Sequence, residues 1–302
     1  MEKSIQDQWA QWLLHRRSGG DPERFQAMLK DLAVLRDQVL QHAHITSGET
    51  MLDVGCGDGL IAFGALDQVG EQGKVIFSDV SQDLLDHCTS LAQQIQALDR
   101  CQFIRASADD LSATESSSVD VVTTRSVLIY VQAKQQAFHE FYRVLKPNGR
   151  LSIFEPINRF CYPEPSHIFM GYDVTPIEAL ASKVRAVFER IQPPESSPML
   201  NFDERDLLTF AEQAGFAEIH LELQIEMKQP QEIDQTDTAK KLSWEVLLKS
   251  SGNPLAPTLE EAIAQALMPD EAEQFTAYLR PLVETMHGRQ RQALAYLWAV
   301  KQ

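Results

Sequence analysis

The chain is poor in cysteine, poor in positive charge, and has no long apolar run. The four cysteines, Cys56, Cys88, Cys101 and Cys161, are scattered through 302 residues with no CxxC pair. That argues against a zinc site or a disulfide framework, and a reducing cytoplasm is the simplest home. No run of eighteen apolar residues occurs, so no membrane span is expected. The N-terminal stretch MEKSIQDQWAQWLL mixes Glu2, Lys3 and Asp7 with glutamines and lacks the basic-then-apolar pattern of a secretory signal. Lysine and arginine total 27 against 43 aspartates and glutamates, a net charge of −16. Such a surface disfavours DNA, RNA and anionic membranes as partners. A hydrophobic fraction of 44% suffices for one large α/β core with additions, or for two small domains.

The middle of the chain alternates short β-branched runs with helical patterns. TMLDV, KVIFSD, CQFIRA, VDVVTTR and RLSIFEP read as five strands, with helices between them. Ser81 is placed to cap the helix after KVIFSD, and Asp21-Pro22 to start one near the N-terminus. A helix ending at Gly215 precedes a long alternating strand, AEIHLELQIEM. ALAYLWAV near the C-terminus suits one more buried strand. This order predicts an α/β fold: a seven-stranded, mostly parallel, Rossmann-like sheet with helices on both faces, plus helical cap segments. The core is expected over 46–227 and 291–302. Residues 1–45 read as an N-terminal helical cap, and 156–200 and 228–290 as insertions. In an open parallel sheet ligands bind off the carboxyl ends of the strands. Both insertions leave from those ends and should cover one pocket.

MLDVGCGDGL, residues 51–60, carries the first chemistry. Gly55 and Gly57 begin a dinucleotide fingerprint, but Leu60 stands where its third glycine belongs, and the glycine falls at Gly59. Asp53 and Asp58 would repel a pyrophosphate and suit a ligand bearing an ammonium and a sulfonium. Asp79 ends the second strand and is suited to accept hydrogen bonds from ribose hydroxyls. These features favour a sulfonium nucleoside over a nicotinamide dinucleotide. A nicotinamide-dependent oxidoreductase is the competing enzyme class, and a non-catalytic S-adenosylmethionine-binding protein the competing non-enzyme.

From residue 50 to about 155 the chain resembles the class I S-adenosylmethionine-dependent methyltransferases, in the group of ubiquinone/menaquinone C-methyltransferases and arsenite methyltransferases. The matching pieces are Asp53-x-Gly55-x-Gly57-x-Gly59, Asp79, ASADDL at 106–111, VDVVTTRSVLIYV, and YRVLKPNGRLSIFEP. The resemblance implies S-adenosyl-L-methionine as cofactor and S-adenosyl-L-homocysteine as product. Carried over, the cofactor-binding set is Asp53, Gly55, Gly57, Gly59, Asp79, Val80, Ser107, Ala108, Asp109 and Arg125. Ser107 replaces the aspartate that commonly bonds the adenine amino group. The resemblance also places ALAYLWAVK antiparallel between the fifth and sixth strands. Clustered thiolates of the arsenite type are not supported, since only Cys56 and Cys161 could approach the pocket. No metal is expected.

The implied reaction is in-line transfer of a methyl group to a small, partly apolar acceptor, achieved largely by positioning. Three residues are catalytic candidates. Glu155 ends the fifth strand and is either a base, a partner of Arg125 or Arg159, or a cap for a turn beside Pro156. Arg125 could bond the methionine carboxylate, orient an anionic acceptor, or brace the loop. His167, with Asp173 and Tyr172 nearby, could deprotonate an acceptor or belong to an ordinary lid. Tyr130 could shape the pocket or be a core aromatic of SVLIYV. His15, Arg16 and Arg17 follow the Trp9/Trp12/Leu13 apolar face and either reach the cofactor carboxylate or an acidic substrate, or form a solvated helix end. The acceptor, the oligomeric state and the element methylated are not legible.

Overall fold

The computed structural model describes residues 7–230 and 243–302. Helix α1 (Gln8–Gln11) is capped by Asp7 and runs on into a π-helical turn, Trp12–Arg16. Helix α2 (Pro22–Ala43) starts as expected, with Pro22 in the first turn and the Asp21 carboxylate taking the Arg24 amide at 2.9 Å. There follow β1 (Thr50–Val54), α3 (Leu60–Val69), β2 (Lys74–Asp79), α4 (Gln82–Gln94), β3 (Cys101–Arg105), β4 (Val119–Arg125), α5 (Lys134–Val144) and β5 (Leu145–Pro156). Ser81 caps α4 through the Leu84 amide. Beyond the core strands lie the short β6 (Ile168–Phe169) and β7 (Tyr172–Asp173), then α6 (Glu178–Ile191), α7 (Glu204–Ala214) and β8 (Glu218–Lys228). The chain ends with α8 (Trp244–Lys249), α9 (Leu259–Ala266), α10 (Pro269–Glu284) and β9 (Gln290–Val300). Of the expected cap segments, residues 1–6 and 231–242 lie outside the described residues.

The main sheet has seven strands in the order β3-β2-β1-β4-β5-β9-β8. Strands β1 to β5 pair in parallel, and β9 is antiparallel to both β5 and β8. This is the expected sheet, with the C-terminal strand inserted where the resemblance put it. The chain winds outward from β1 to β3, then returns to lay β4 on the other side of β1. The crevice between the ends of β1 and β4 is therefore the switch point, where an open sheet leaves room for a ligand.

Period-two alternation distributes the strand residues between two cores. Leu52, Val54 and Val122 meet α5 and α7 through Phe138, Phe141, Leu207 and Ala211. Met51, Val75, Phe77 and Val121 meet α2, α3 and α4 through Val39, Leu40, Ile61, Ala65 and Leu85. A third core joins residues of both insertions: Phe169, Tyr172, Ala181 and Val184 pack with Trp244, Leu259, Phe275 and Leu279. None of the described helices is long and apolar enough to cross a membrane.

Candidate active site

A cavity of about 670 Å³ opens at the switch point, inside the range of roughly 300–1,000 Å³ typical of small-molecule sites. Gly55 and Gly57, just past β1, form its floor. Both have positive φ, +67° and +57°, which glycine adopts without strain. A Cβ on Gly55 would come 2.3 Å from a Val127 methyl, and one on Gly57 would press Leu13 at 3.0 Å. The N-terminal π-helical turn therefore lies directly on the glycine loop.

Asp79 stands at the end of β2 and faces the cavity. Its two oxygens accept the amides of Gly57 and Ser81, each at 2.9 Å. That ties the loop to the strand and leaves lone pairs on both oxygens for a ligand. Burial raises its pKa above the ordinary carboxylate value, with the two amide bonds opposing. Val80, Ser107, Ala108 and Asp109 line the adjoining wall, and the Ser107 hydroxyl is bonded to the Asp109 carboxylate. Arg125, at the end of β4, lines the side opposite.

Four expected site residues lie elsewhere. Asp53 shares a strand side with Met51 and points toward the α3 face. It is buried and accepts the Thr123 hydroxyl at 2.8 Å and the Ala62 amide at 3.2 Å. It braces the loop from beneath and does not line the cavity. Burial lifts its pKa to about 7. Gly59 starts α3 and, with Asp58, faces a separate hollow beside Arg36, Asp37 and Phe63.

Glu155 is fully buried and does not line the cavity. Its carboxylate accepts the amides of Val127 and Leu128 at 2.8 Å and of Ile129 at 3.3 Å. It caps the turn after β4 through three converging N–H groups, and its burial off the cavity keeps it from an acceptor. Burial raises its pKa to about 7, against those three bonds. His167 is exposed, one residue before β6 turns its neighbours into the third core, and Asp173 is bonded to Thr175. No His–Asp pair faces the cavity. Cys56 and Cys161 are absent from the lining as well. Among the described residues no cluster of three or more His, Cys, Asp or Glu could hold a metal.

Other residues complete the lining. Tyr130 packs against the first core and is also part of the wall, where it meets Trp9 edge-on with ring centroids 5.0 Å apart. Burial, with the Glu155 charge, raises its pKa and keeps the phenol protonated. Trp9, Trp12 and Leu13 turn their apolar face to the cavity, and Arg17 is no solvated end: it lines the pocket. Burial, then repulsion from Arg125, lowers its pKa to about 10. Arg16 does reach outward, to Glu261 at 2.7 Å. Arg24 and Met28, one turn apart on α2, add a further strip. The insertions contribute Met170 and the segment from Leu247 to Gly252. Trp12 Nε1 donates to the Ser251 carbonyl at 2.8 Å, locking the N-terminal cap to the second insertion.

Residues 45–189 match the family model for a methyltransferase domain. That stretch is a class I S-adenosylmethionine-dependent methyltransferase domain. Over 178 residues the methyltransferase is 28% identical to the ubiquinone/menaquinone biosynthesis C-methyltransferase of Escherichia fergusonii, covering 58% of this chain and 69% of the relative. Identity to the Francisella tularensis subsp. novicida protein of the same name is 25% over 183 residues, covering 61% and 72%. Two solved structures share the fold. A geranyl diphosphate methyltransferase in complex with S-adenosylmethionine has a TM-score of 0.53 at 18% identity, covering 94% of each chain. The YcgJ protein of Bacillus subtilis has a TM-score of 0.51 at 13% identity, covering 88% of this chain and 97% of its own.

Proposed function

We propose that the methyltransferase methylates a small, partly apolar acceptor enclosed between its sheet edge and its caps. The observation that carries this reading is the wall facing the glycine loop. Trp9, Trp12, Leu13, Met28, Met170 and Leu247 close a nucleotide cleft with apolar and aromatic groups, which suits burial of an apolar body. Residues 1–45, 156–200 and 228–290 then act together as the acceptor cap on the core. The relatives' names refer to ubiquinone and menaquinone biosynthesis, in keeping with an apolar acceptor.

For the cofactor, Asp79 is the ribose acceptor, since its oxygens keep lone pairs toward the cavity. Val80, Ser107, Ala108 and Asp109 border the adenine. Gly55 and Gly57 admit the close approach of the amino-acid part, and Arg17 with Arg125 takes its carboxylate. When bound, S-adenosylmethionine supplies a methyl group on a sulfonium whose departing thioether is neutral. The chain's own residues therefore need to hold and orient the acceptor and exclude water. The cavity lining contains no histidine, lysine, glutamate or cysteine among the described residues. Tyr130 is held protonated, and Asp109 is engaged by Ser107. This set favours positioning over base catalysis, and acceptors that are nucleophilic without a base from the wall.

The test is an acceptor screen that reads S-adenosylhomocysteine formation. Turnover with small amphipathic compounds supports the reading. Turnover confined to nucleic acid or protein acceptors overturns it.

A further inference from the structure

Three arginines line the cavity: Arg17, Arg24 and Arg125. None of the three guanidiniums makes a hydrogen bond or an ion pair within 4.0 Å to a described residue. The carboxylates that attract them do so from beyond that distance: Asp58 for Arg17, Asp21 for Arg24 and the buried Asp53 for Arg125. Asp21 is already occupied, because its carboxylate caps α2 by accepting the backbone N–H of Arg24. This is unusual in a chain of net charge −16, where acids are abundant and a half-buried guanidinium would ordinarily find one. Arg17 has the Trp12 ring 5.5 Å from its guanidinium carbon but no anion beside it; a desolvated cation without an anionic partner is costly, and an anion brought by a ligand relieves that cost.

The three fall into two groups. Arg17 and Arg125 are close enough to repel one another, and Arg125 ends β4, two residues before the Val127 that overhangs Gly55. They sit at the glycine-loop end. Arg24 stands apart on α2, beside Met28, and feels the phenol of Tyr172 from the cap. Met170 from the same cap lines the cavity there. The cofactor has one carboxylate, which Arg17 and Arg125 accommodate. Arg24 is left over, on an apolar wall.

We propose that Arg24 receives an oxyanion carried by the acceptor, a carboxylate or a phosphate ester, so that the acceptor is an amphipathic acid with its apolar body against Met28, Met170 and Leu247. The planar fork of the guanidinium can bind either group through two parallel hydrogen bonds. The proposal rests on the cofactor reading given above, which assigns the other two arginines to the methionine carboxylate.

The experiment is a calorimetric titration of the full-length protein, free and loaded with S-adenosylhomocysteine, with decanoate, decyl phosphate and 1-decanol. At least one anion is expected to bind ten-fold or more tightly than the alcohol, with that preference shrinking as salt is raised. Which anion wins separates a carboxylic acid from a phosphate ester. Arg24→Gln should abolish the preference while S-adenosylhomocysteine affinity stays within about two-fold, and Arg24→Lys should keep part of it. Equal binding of the alcohol and both anions overturns the proposal. So does a preference that survives Arg24→Gln. A protein that fails to bind S-adenosylhomocysteine yet shows the Arg24-dependent preference would refute the cofactor assignment alone.

Discussion

Replacing Glu155 by glutamine separates a structural carboxylate from a catalytic one. In the folded protein the Glu155 pKa is raised from the ordinary 4.5 to about 7, chiefly by burial. The native state therefore holds a proton that the unfolded chain has released across that interval. Stability from this group is fully present below pH 4.5 and is lost as pH rises toward 7. Two and a half pH units at about 1.4 kcal/mol each amount to roughly 3 kcal/mol. Glutamine cannot ionise and should remove that slope. Its carbonyl oxygen can keep the two shorter bonds, to Val127 and Leu128, while its amide nitrogen faces the Ile129 N–H, the longest contact at 3.3 Å. That mismatch costs about 1–3 kcal/mol at every pH. In urea unfolding, Glu155→Gln should be less stable than the parent at pH 5 and should close most of the gap, or reverse it, at pH 8. Turnover with an acceptor, once identified, should fall no more than a few-fold. A stability difference that is the same at both pH values refutes the burial argument. A variant that folds and binds cofactor normally but loses 100-fold or more in turnover refutes the structural role.

Asp53 has the same sign of effect, since its pKa rises from 3.8 to about 7 through burial. Asp53→Asn should flatten the loss of stability between pH 4 and 7 in the same unfolding assay. At Gly55, alanine meets both a positive φ and the Val127 methyl at 2.3 Å, a strain of roughly 1–3 kcal/mol. Thermal unfolding and S-adenosylhomocysteine calorimetry should both register it, and Val127→Ala in the same chain should recover part of the loss. Trp9 and Trp12 line the cavity whereas Trp244 is buried in the cap core. Cofactor binding should therefore change tryptophan emission in the parent and change it much less in a Trp9→Phe/Trp12→Phe variant.

Much of the sheet was legible because its strands announce themselves by β-branched runs between helical patterns, and because Asp21, Ser81 and Gly215 mark helix ends by their side-chain chemistry. Gly55, Gly57 and Asp79 were legible for a related reason: a backbone turn and a strand-end carboxylate leave local signatures. Contacts distant in sequence left none. Trp12 reaches Ser251 across 239 positions, and nothing near either residue signals the other. Hence the sequence leaves open whether the basic end of the N-terminal helix meets solvent or ligand, and only the fold puts Arg17 on the pocket wall. Glu155 misled for the opposite reason. A carboxylate at a strand end does point toward the crevice, but whether it meets solvent or a turn depends on where residues 127–129 pass. Tyr130 in SVLIYV has the pattern of a core aromatic, and only the position of Trp9 makes it a wall. The placement of His167 depended on the two-residue strand β6, too short to show any alternation.

The central claim is that the cleft between β1 and β4 holds S-adenosylmethionine with Asp79 on its ribose. Calorimetric titration of S-adenosylhomocysteine and NADH into the parent protein and an Asp79→Ala variant tests it most directly. One S-adenosylhomocysteine should bind per chain. The variant should lose at least one charge-assisted hydrogen bond, about 1.5–3 kcal/mol or more than ten-fold in affinity, and NADH should not bind. Tight NADH binding, or S-adenosylhomocysteine affinity unchanged by Asp79→Ala, would contradict it.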